Sequence, residues 1–244
     1  MNFKYYSLVF VLTLISCGTN TSPKLSKVER NFNKIKTTTG QRDVSLRISN
    51  NRVWNMRMSF PKDVTQKKPL IIALHWAGGG DTYKEFSTCL IEPGMTDLDA
   101  YIIAPDGEHL LWTNQYNENK IIKIVAFAKK YWNVDPKRII VTGYSNGGIG
   151  SWFFADKYPK LFTAAIPIAG VYYAENKINI PMYVIHGEKD ELFKIQKIVS
   201  FVEIAKNNGS DIKLVVNTEL SHHMACSYVH ELKKATNWLK KKIQ

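Results

Sequence analysis

Residues 138–148, RIIVTGYSNGG, decide the fold. Their apolar run, which ends at Thr142, is typical of a short strand that is buried on both faces. The pattern Gly-x-Ser-x-Gly follows at residues 143–147 and leads into a helix. Such a turn holds Ser145 in strained backbone geometry with its hydroxyl facing outward, and glycines on either side avoid collisions with neighbouring backbone. The stretch therefore predicts a nucleophilic serine beside a helix N-terminus, whose N–H groups can stabilise an oxyanion.

Other short apolar runs and helical patterns surround this stretch. Runs rich in Ile and Val predict buried strands at 70–74, 101–104, 138–142, 164–168, 182–185 and 212–216. Helical periodicity predicts helices at 120–132, 191–207 and 227–242. Residues 42–49 and 52–60 alternate in polarity around Asn50-Asn51, which predicts a β-hairpin. The sequence thus predicts an α/β fold: a mostly parallel central sheet, helices on both faces and an antiparallel hairpin at its N-terminal end.

The positive charge of the chain lies mainly near its two ends. Its 244 residues include 33 Lys and Arg against 21 Asp and Glu, a formal net charge of +12. Residues 24–47 carry a net charge of +5 and residues 231–242 a net charge of +4, so the body between them is close to neutral. A nucleic-acid groove needs a basic stripe interleaved with aromatic side chains, which this body lacks. We therefore expect no nucleic-acid partner.

Four motifs resemble those of the α/β hydrolase superfamily and occur in its order. They are LHWAGGG at 74–80, GYSNG at 143–147, IHGEKD at 185–190 and SHH at 221–223. The resemblance runs from about residue 67 to the C-terminus. It is greatest to the branch of polyhydroxybutyrate-depolymerase-like, feruloyl-esterase-like and phospholipase/carboxylesterase-type enzymes. It implies the α/β hydrolase fold for a domain at residues 41–244 and the activity of a serine esterase.

This resemblance implies a Ser-Asp-His triad in that chain order. A serine nucleophile needs a base, and the base needs an acid that fixes its tautomer and stabilises its charged form. Asp190 follows the strand at 182–185, where the superfamily places its acid. Ser221-His222 occupies the position at which relatives carry Gly-His, so His222 is the expected base. The alternatives are Glu188, Asp81 and Asp106 for the acid and His223 for the base. His75 and His186 end strands, and we expect them to bond loop backbone.

The oxyanion hole should combine two backbone N–H groups. One belongs to Asn146, and the resemblance assigns the other to Ala77. Trp76 stands where a Gly is usual in the superfamily, so it either lines the acyl pocket or crowds the loop and shifts the donor to Gly78. Aromatic side chains at strand ends suit an apolar acyl group or a sugar. We expect three of them to bind substrate: Trp76, Trp112 and Tyr144.

These residues predict a serine hydrolase that cleaves carboxylic esters through an acyl-enzyme. No metal or organic cofactor is expected, because the sequence has neither His-Glu-x-x-His spacing nor a Gly-rich phosphate loop with its lysine. Residues 106–119 and 170–180 are too short for a lid domain, which favours small or accessible esters such as acylated glycans. The alternatives are a serine peptidase of the same fold and a catalytically inactive, lipid-anchored binding protein.

The N-terminus has the pattern of an exported bacterial lipoprotein. Residues 1–16 combine Lys4 with an apolar run too short to span a bilayer, which predicts a signal peptide. Leu14-Ile15-Ser16-Cys17 resembles a lipobox and implies that Cys17 carries the lipid, although a plain signal peptide is the alternative. The polar residues 17–40 predict a flexible tether. We expect a protein anchored by lipid in the bacterial cell envelope, on its periplasmic or surface face.

Two cysteines remain in the predicted domain, Cys89 and Cys226. In an oxidising compartment an even pair can form a disulfide. Two buried thiols are the alternative, because the sequence does not give the distance between their Cα atoms.

Overall fold

The computed structural model of the chain describes residues 25–242. Its strands are β1 (Gly40–Arg47), β2 (Val53–Phe60), β3 (Lys68–Leu74), β4 (Tyr101–Pro105), β5 (Val134–Tyr144), β6 (Ala164–Ile168), β7 (Met182–Gly187) and β8 (Ile212–Asn217). They form one sheet in the order β1-β2-β4-β3-β5-β6-β7-β8. The β1–β2 and β2–β4 pairs are antiparallel, and all the other pairs are parallel. The predicted sheet, with its antiparallel N-terminal hairpin, is confirmed.

Helices cover both faces of this sheet. They are α1 (Lys27–Asn33), α2 (Thr82–Phe86), α3 (Glu92–Met95), α4 (Gln115–Tyr131), α5 (Asn146–Lys157), α6 (Ile195–Asn207) and α7 (Val229–Lys242). A π-helical turn at Ser87–Ile91 joins α2 to α3, and a 3₁₀ helix at Ala225–Tyr228 precedes α7. Two separate apolar clusters hold α1, α4, α5 and α6 against one face and α2, α3 and α7 against the other. Between residues 25 and 242, no helix has the length and apolar character needed to cross a membrane.

The segment before β1 belongs to the folded domain. Phe32 in α1 is fully buried and stacks on Trp132 with 4.8 Å between ring centroids. Ser26 caps the helix by accepting a 3.2 Å hydrogen bond from the backbone N–H of Glu29. The predicted flexible tether is therefore wrong from Lys27 to Asn33, because the apolar spacing of Val28 and Phe32 buries one face of a short helix. The predicted signal peptide and the lipidation site Cys17 lie outside the described residues.

Strand β8 also departs from its prediction as a strand buried on both faces. It ends the sheet, and only Ile212 among its residues is buried. Val216 is 37% exposed, because no further strand and little helix surface covers this edge. An edge strand can thus carry the same apolar sequence as a central one while burying less of it.

One disulfide links the two helical segments on the face that α7 covers. Cys89 lies in the π-helical turn and Cys226 in the 3₁₀ helix, and their Cα atoms are 5.1 Å apart. The bond closes a separation of 137 residues. The loops that follow β3, β5, β7 and β8 lie at the carboxyl edge of the parallel strands, where α/β folds place their sites.

Candidate active site

The turn between β5 and α5 holds Ser145 in a backbone conformation that side chains rarely adopt. Its φ is 55° and its ψ is −115°. A Cβ atom added to Gly147 would lie 1.8 Å from the carbonyl oxygen of Leu74, and one added to Gly143 would lie 2.5 Å from that oxygen. Both positions therefore require glycine, and the sharp turn predicted for this serine is present.

A chain of two hydrogen bonds connects the side chains of Ser145, His222 and Asp190. The hydroxyl oxygen of Ser145 lies 2.8 Å from Nε2 of His222. Nδ1 of the same imidazole lies 2.8 Å from Oδ2 of Asp190. Asp190 and His222 are buried, whereas Ser145 is partly exposed and reachable from outside. The arrangement can move the hydroxyl proton to the imidazole while the carboxylate holds the ring.

Backbone groups of its own loop hold Asp190. Its Oδ1 accepts hydrogen bonds from the backbone N–H groups of Leu192 at 3.0 Å and Phe193 at 2.7 Å. Burial raises the pKa of this carboxyl, but the hydrogen bonds from His222 and Phe193 outweigh it and hold the pKa below its usual range. Asp190 therefore stays ionised and is ready to stabilise a protonated imidazole.

His186 supports the same loop from inside the protein. This fully buried imidazole donates from Nε2 to the carbonyl oxygen of Phe193 at 2.7 Å, and Nε2 also lies 3.5 Å from Oδ2 of Asp190. Burial lowers the pKa of His186 and so favours its neutral form. Its Nδ1 has no hydrogen-bond partner within residues 25–242. The expectation that this histidine bonds loop backbone is confirmed.

Two hydrogen bonds fix the backbone of His222, one at its N–H and one at its carbonyl oxygen. Its N–H donates to Oε2 of Glu191 at 3.0 Å, and its carbonyl oxygen accepts from the hydroxyl of Tyr144 at 2.6 Å. Burial raises the pKa of Tyr144, which keeps the phenol protonated as a donor. The neighbouring His223 has a side chain 73% exposed and pairs with Glu191 at 3.2 Å. The structure thus brings His222, and not His223, to the serine hydroxyl.

The other candidate acids are engaged elsewhere. Glu188 is exposed at the surface, and Asp81 pairs with Lys84 at 2.8 Å. Asp106 lies 3.9 Å from His75 rather than at the site of the triad. Within residues 25–242, no group of three or more His, Cys, Asp or Glu side chains is arranged to hold a metal ion.

The loop after β3 is held by a buried histidine and a buried tryptophan. Nε2 of His75 accepts the backbone N–H of Gly107 at 2.8 Å, and the indole Nε1 of Trp112 donates to the carbonyl oxygen of His75 at 2.8 Å. Trp112 is fully buried. Its predicted role in substrate binding is therefore wrong, because its ring packs on His75 and supports the loop that carries Ala77.

A cleft of about 570 Å³ opens in front of Ser145. Trp76 and Ala77 are among the residues that line it. The indole of Trp76 makes edge contacts with Phe86 and Tyr144, at centroid distances of 5.6 and 6.1 Å. Tyr144 also borders the cleft, but it is only 2% exposed and mainly supports His222. Asn146 is buried at the first position of α5, where the N–H has no acceptor within the helix.

Several residues that line the cleft were missed by sequence reasoning, among them Glu85, Leu192 and Met224. Leu192 and Met224 are 58% and 41% exposed, and each lies two residues after a triad member. Their closeness in sequence to Asp190 and His222 could have indicated that they line the cleft. Glu85 had no such signal, because α2 was not predicted.

Comparison with known proteins places the chain in a family. The model of the dienelactone hydrolase family matches residues 58–241, about three quarters of the chain. The chain belongs to this family. Its predicted resemblance to α/β hydrolases is thereby confirmed at the level of superfamily and fold.

Two relatives of this dienelactone hydrolase family member each match about half of the chain. It is 32% identical to Protein usf of Aquifex pyrophilus over 134 residues, which cover 50% of this chain and 57% of that one. It is 29% identical to an acetylxylan esterase of Coprinopsis cinerea over 140 residues, which cover 50% of this chain and 36% of the relative. The chain thus matches less than two thirds of the length of either. A solved thermostable esterase shares the fold, with a TM-score of 0.67 and 22% identity, covering 84% of this chain and 63% of that one.

The hydrogen bond between Asp190 and His222 predicts a large effect of Asp190→Asn. The neutral amide cannot stabilise the protonated imidazole and favours the wrong tautomer, so kcat on an ester substrate should fall by about 10⁴-fold. Glu188→Gln is the matched control on the same loop and should change kcat by less than about twofold, because that side chain is exposed. Steady-state kinetics on the two purified variants check this, and an equal loss in both would contradict the assignment.

Proposed function

We propose that this protein is a serine hydrolase that cleaves carboxylic esters through an acyl-enzyme intermediate. The hydrogen-bond chain from Ser145 through His222 to Asp190, with 2.8 Å at each link, is the observation that carries the proposal. Membership of the dienelactone hydrolase family agrees with it. The proposed nucleophile, base and acid are these three residues, as expected from the sequence.

In the proposed reaction, Nε2 of His222 takes the hydroxyl proton of Ser145 as the oxygen attacks the ester carbonyl. The tetrahedral intermediate then collapses, the C–O bond to the alcohol breaks, and the imidazolium gives its proton to the departing alcohol. Water, deprotonated by the same imidazole, attacks the acyl-enzyme. The bond between the acyl carbon and Oγ of Ser145 then breaks, the imidazolium returns its proton to Oγ, and the carboxylic acid leaves. Asp190 remains a carboxylate throughout and stabilises the imidazolium in both steps.

We assign the oxyanion hole to the backbone N–H groups of Ala77 and Asn146. Asn146 begins α5, so its N–H lies at the positive end of the helix dipole. Ala77 lines the cleft together with Ser145, whereas Gly78 does not border it. These positions favour Ala77 over Gly78 as the second donor.

Acylated glycans are the substrate class that we favour for this site. The cleft is open to solvent and has Trp76 on its wall, and an indole face suits an apolar acyl group or the face of a sugar ring. The acetylxylan esterase among the relatives is consistent with such a substrate, although the match covers 36% of that protein.

Hydrolysis of a 4-nitrophenyl ester series from acetate to octanoate, by the domain from residue 25 onward, tests the reaction type. We expect turnover that falls by about 10⁴-fold or more in Ser145→Ala and His222→Ala, because each variant loses an atom that reacts. His223→Ala is the matched control for the base and should retain turnover. No turnover of any ester by the unaltered protein would contradict the esterase, and turnover of these esters without release of acetate or ferulate from acylated xylans would contradict the glycan substrate.

We also propose that a lipid on Cys17 anchors the enzyme in the bacterial cell envelope. The lipobox-like residues 14–17 support this, and the disulfide between Cys89 and Cys226 suits an oxidising compartment. Metabolic labelling of the full chain with an alkyne fatty acid should mark the wild type and fail to mark Cys17→Ser. Equal labelling of both, or labelling of neither, would contradict the anchor.

A further inference from the structure

The cleft in front of Ser145 is acidic although the chain as a whole is basic. Glu85 is one of the residues that line it. Asp190 lies 2.8 Å from Nδ1 of His222, and Glu191 accepts a hydrogen bond from the backbone N–H of His222. No Lys or Arg is among the described residues that line the cleft, in a chain of formal net charge +12. The sign of the local charge is therefore opposite to that of the whole protein.

The carboxylates of Asp190 and Glu191 are held in their charged form. Hydrogen bonds from His222 and Phe193 keep Asp190 ionised against the effect of its burial. The backbone N–H of His222 lowers the pKa of Glu191. The imidazole Nε2 of His223 lies 3.2 Å from Oε1 of Glu191.

The lysines nearest in sequence are paired with other acids and do not neutralise Glu85. Lys84 lies 2.8 Å from Asp81 and 3.9 Å from Asp43. Lys189, which precedes Asp190 in the chain, pairs with Glu219 at 2.6 Å. The carboxylate of Glu85 itself makes no hydrogen bond and no ion pair within the range 25–242, so its charge is available to a bound molecule.

We propose that Glu85 is a specificity-determining residue that makes this cleft select neutral or cationic esters and reject esters that carry a negative charge. The proposal rests on the ester hydrolysis proposed above. Although Glu85 is itself exposed, the low-dielectric protein that forms the walls of a concave site focuses part of its field into the cleft. Because this Coulomb interaction extends over the whole cleft, it acts on a charge at either end of the ester.

The anionic 4-acetoxybenzoate and the neutral 4-acetoxybenzamide form a matched pair of substrates for the test. The measured quantity is the ratio of kcat/KM for the anion to kcat/KM for the amide. Comparing this ratio between variants cancels the intrinsic reactivities of the two esters. Turnover of the neutral ester in the same sample shows that each variant is folded.

At low ionic strength we expect Glu85→Gln to raise this ratio about threefold and Glu85→Lys to raise it about tenfold, since the charge changes by one unit and by two. Both increases should shrink in 1 M salt, where the screening length is about 3 Å. Asp211→Asn is the matched control: it removes one exposed carboxylate before β8, at the opposite edge of the sheet. This control should leave the ratio unchanged.

The possible outcomes distinguish the role of Glu85 from the esterase activity itself. An unchanged ratio in both Glu85 variants, or an equal increase in Asp211→Asn, would overturn the role of Glu85 while the esterase stands. Failure of the unaltered protein to hydrolyse either ester would remove the esterase, and the inference about charge with it. An increase restricted to the Glu85 variants and reduced by salt is the result that we expect.

Discussion

The close approach of two backbone segments determines the geometry of the site. The end of β3 and the turn after β5 come so near each other that a Cβ on Gly147 would lie 1.8 Å from the carbonyl oxygen of Leu74. This contact fixes the turn in which Ser145 has a positive φ, and it sets the start of α5 beside the loop that carries Ala77. The nucleophile and both proposed oxyanion donors are thus positioned by one contact between main chains. A side chain at position 147 would displace all three.

The base and the acid depend on a different kind of support. Asp190 and His222 come from loops after separate strands, and buried hydrogen bonds from side chains help to hold each loop. His186 secures the acid's loop through the carbonyl of Phe193, and Tyr144 secures the base through its own carbonyl. Both supporting groups are buried and are held in the neutral form that donates a hydrogen bond. The site therefore combines a turn fixed by sterics with a polar network fixed by burial.

The sequence predicted those parts of the molecule in which a local sequence pattern is compatible with only one local structure. The central strands read as continuous apolar runs because both of their faces are covered, and the turn at Ser145 needs glycine at fixed positions. The segment at 82–95 gave no clear periodicity, because α2, a π-helical turn and α3 follow one another within a few residues. The role of Trp112 was equally hidden, since an aromatic residue in a loop reads the same whether it faces a ligand or the core.

Features that depend on tertiary contacts could not be predicted from the sequence either. Adjacent histidines carry the same chemistry, and tertiary hydrogen bonds, including the one from the ring to Asp190, hold His222 toward the serine. Helix α1 read as a polar tether because its stability comes from Phe32 packing on Trp132, a residue 100 positions away. The acidic character of the cleft was masked by the basic ends of the chain, which contribute charge far from the site.

The central claim is that folding makes the hydroxyl of Ser145 an activated nucleophile. It is tested most directly by reaction of the native and the urea-unfolded protein with a fluorophosphonate, followed by peptide mass spectrometry. We predict phosphonylation of Ser145 in the native protein, because the imidazole beside it accepts the hydroxyl proton, and none after unfolding. Labelling of other serines at the same rate, or no labelling of Ser145 in the native protein, would contradict the account.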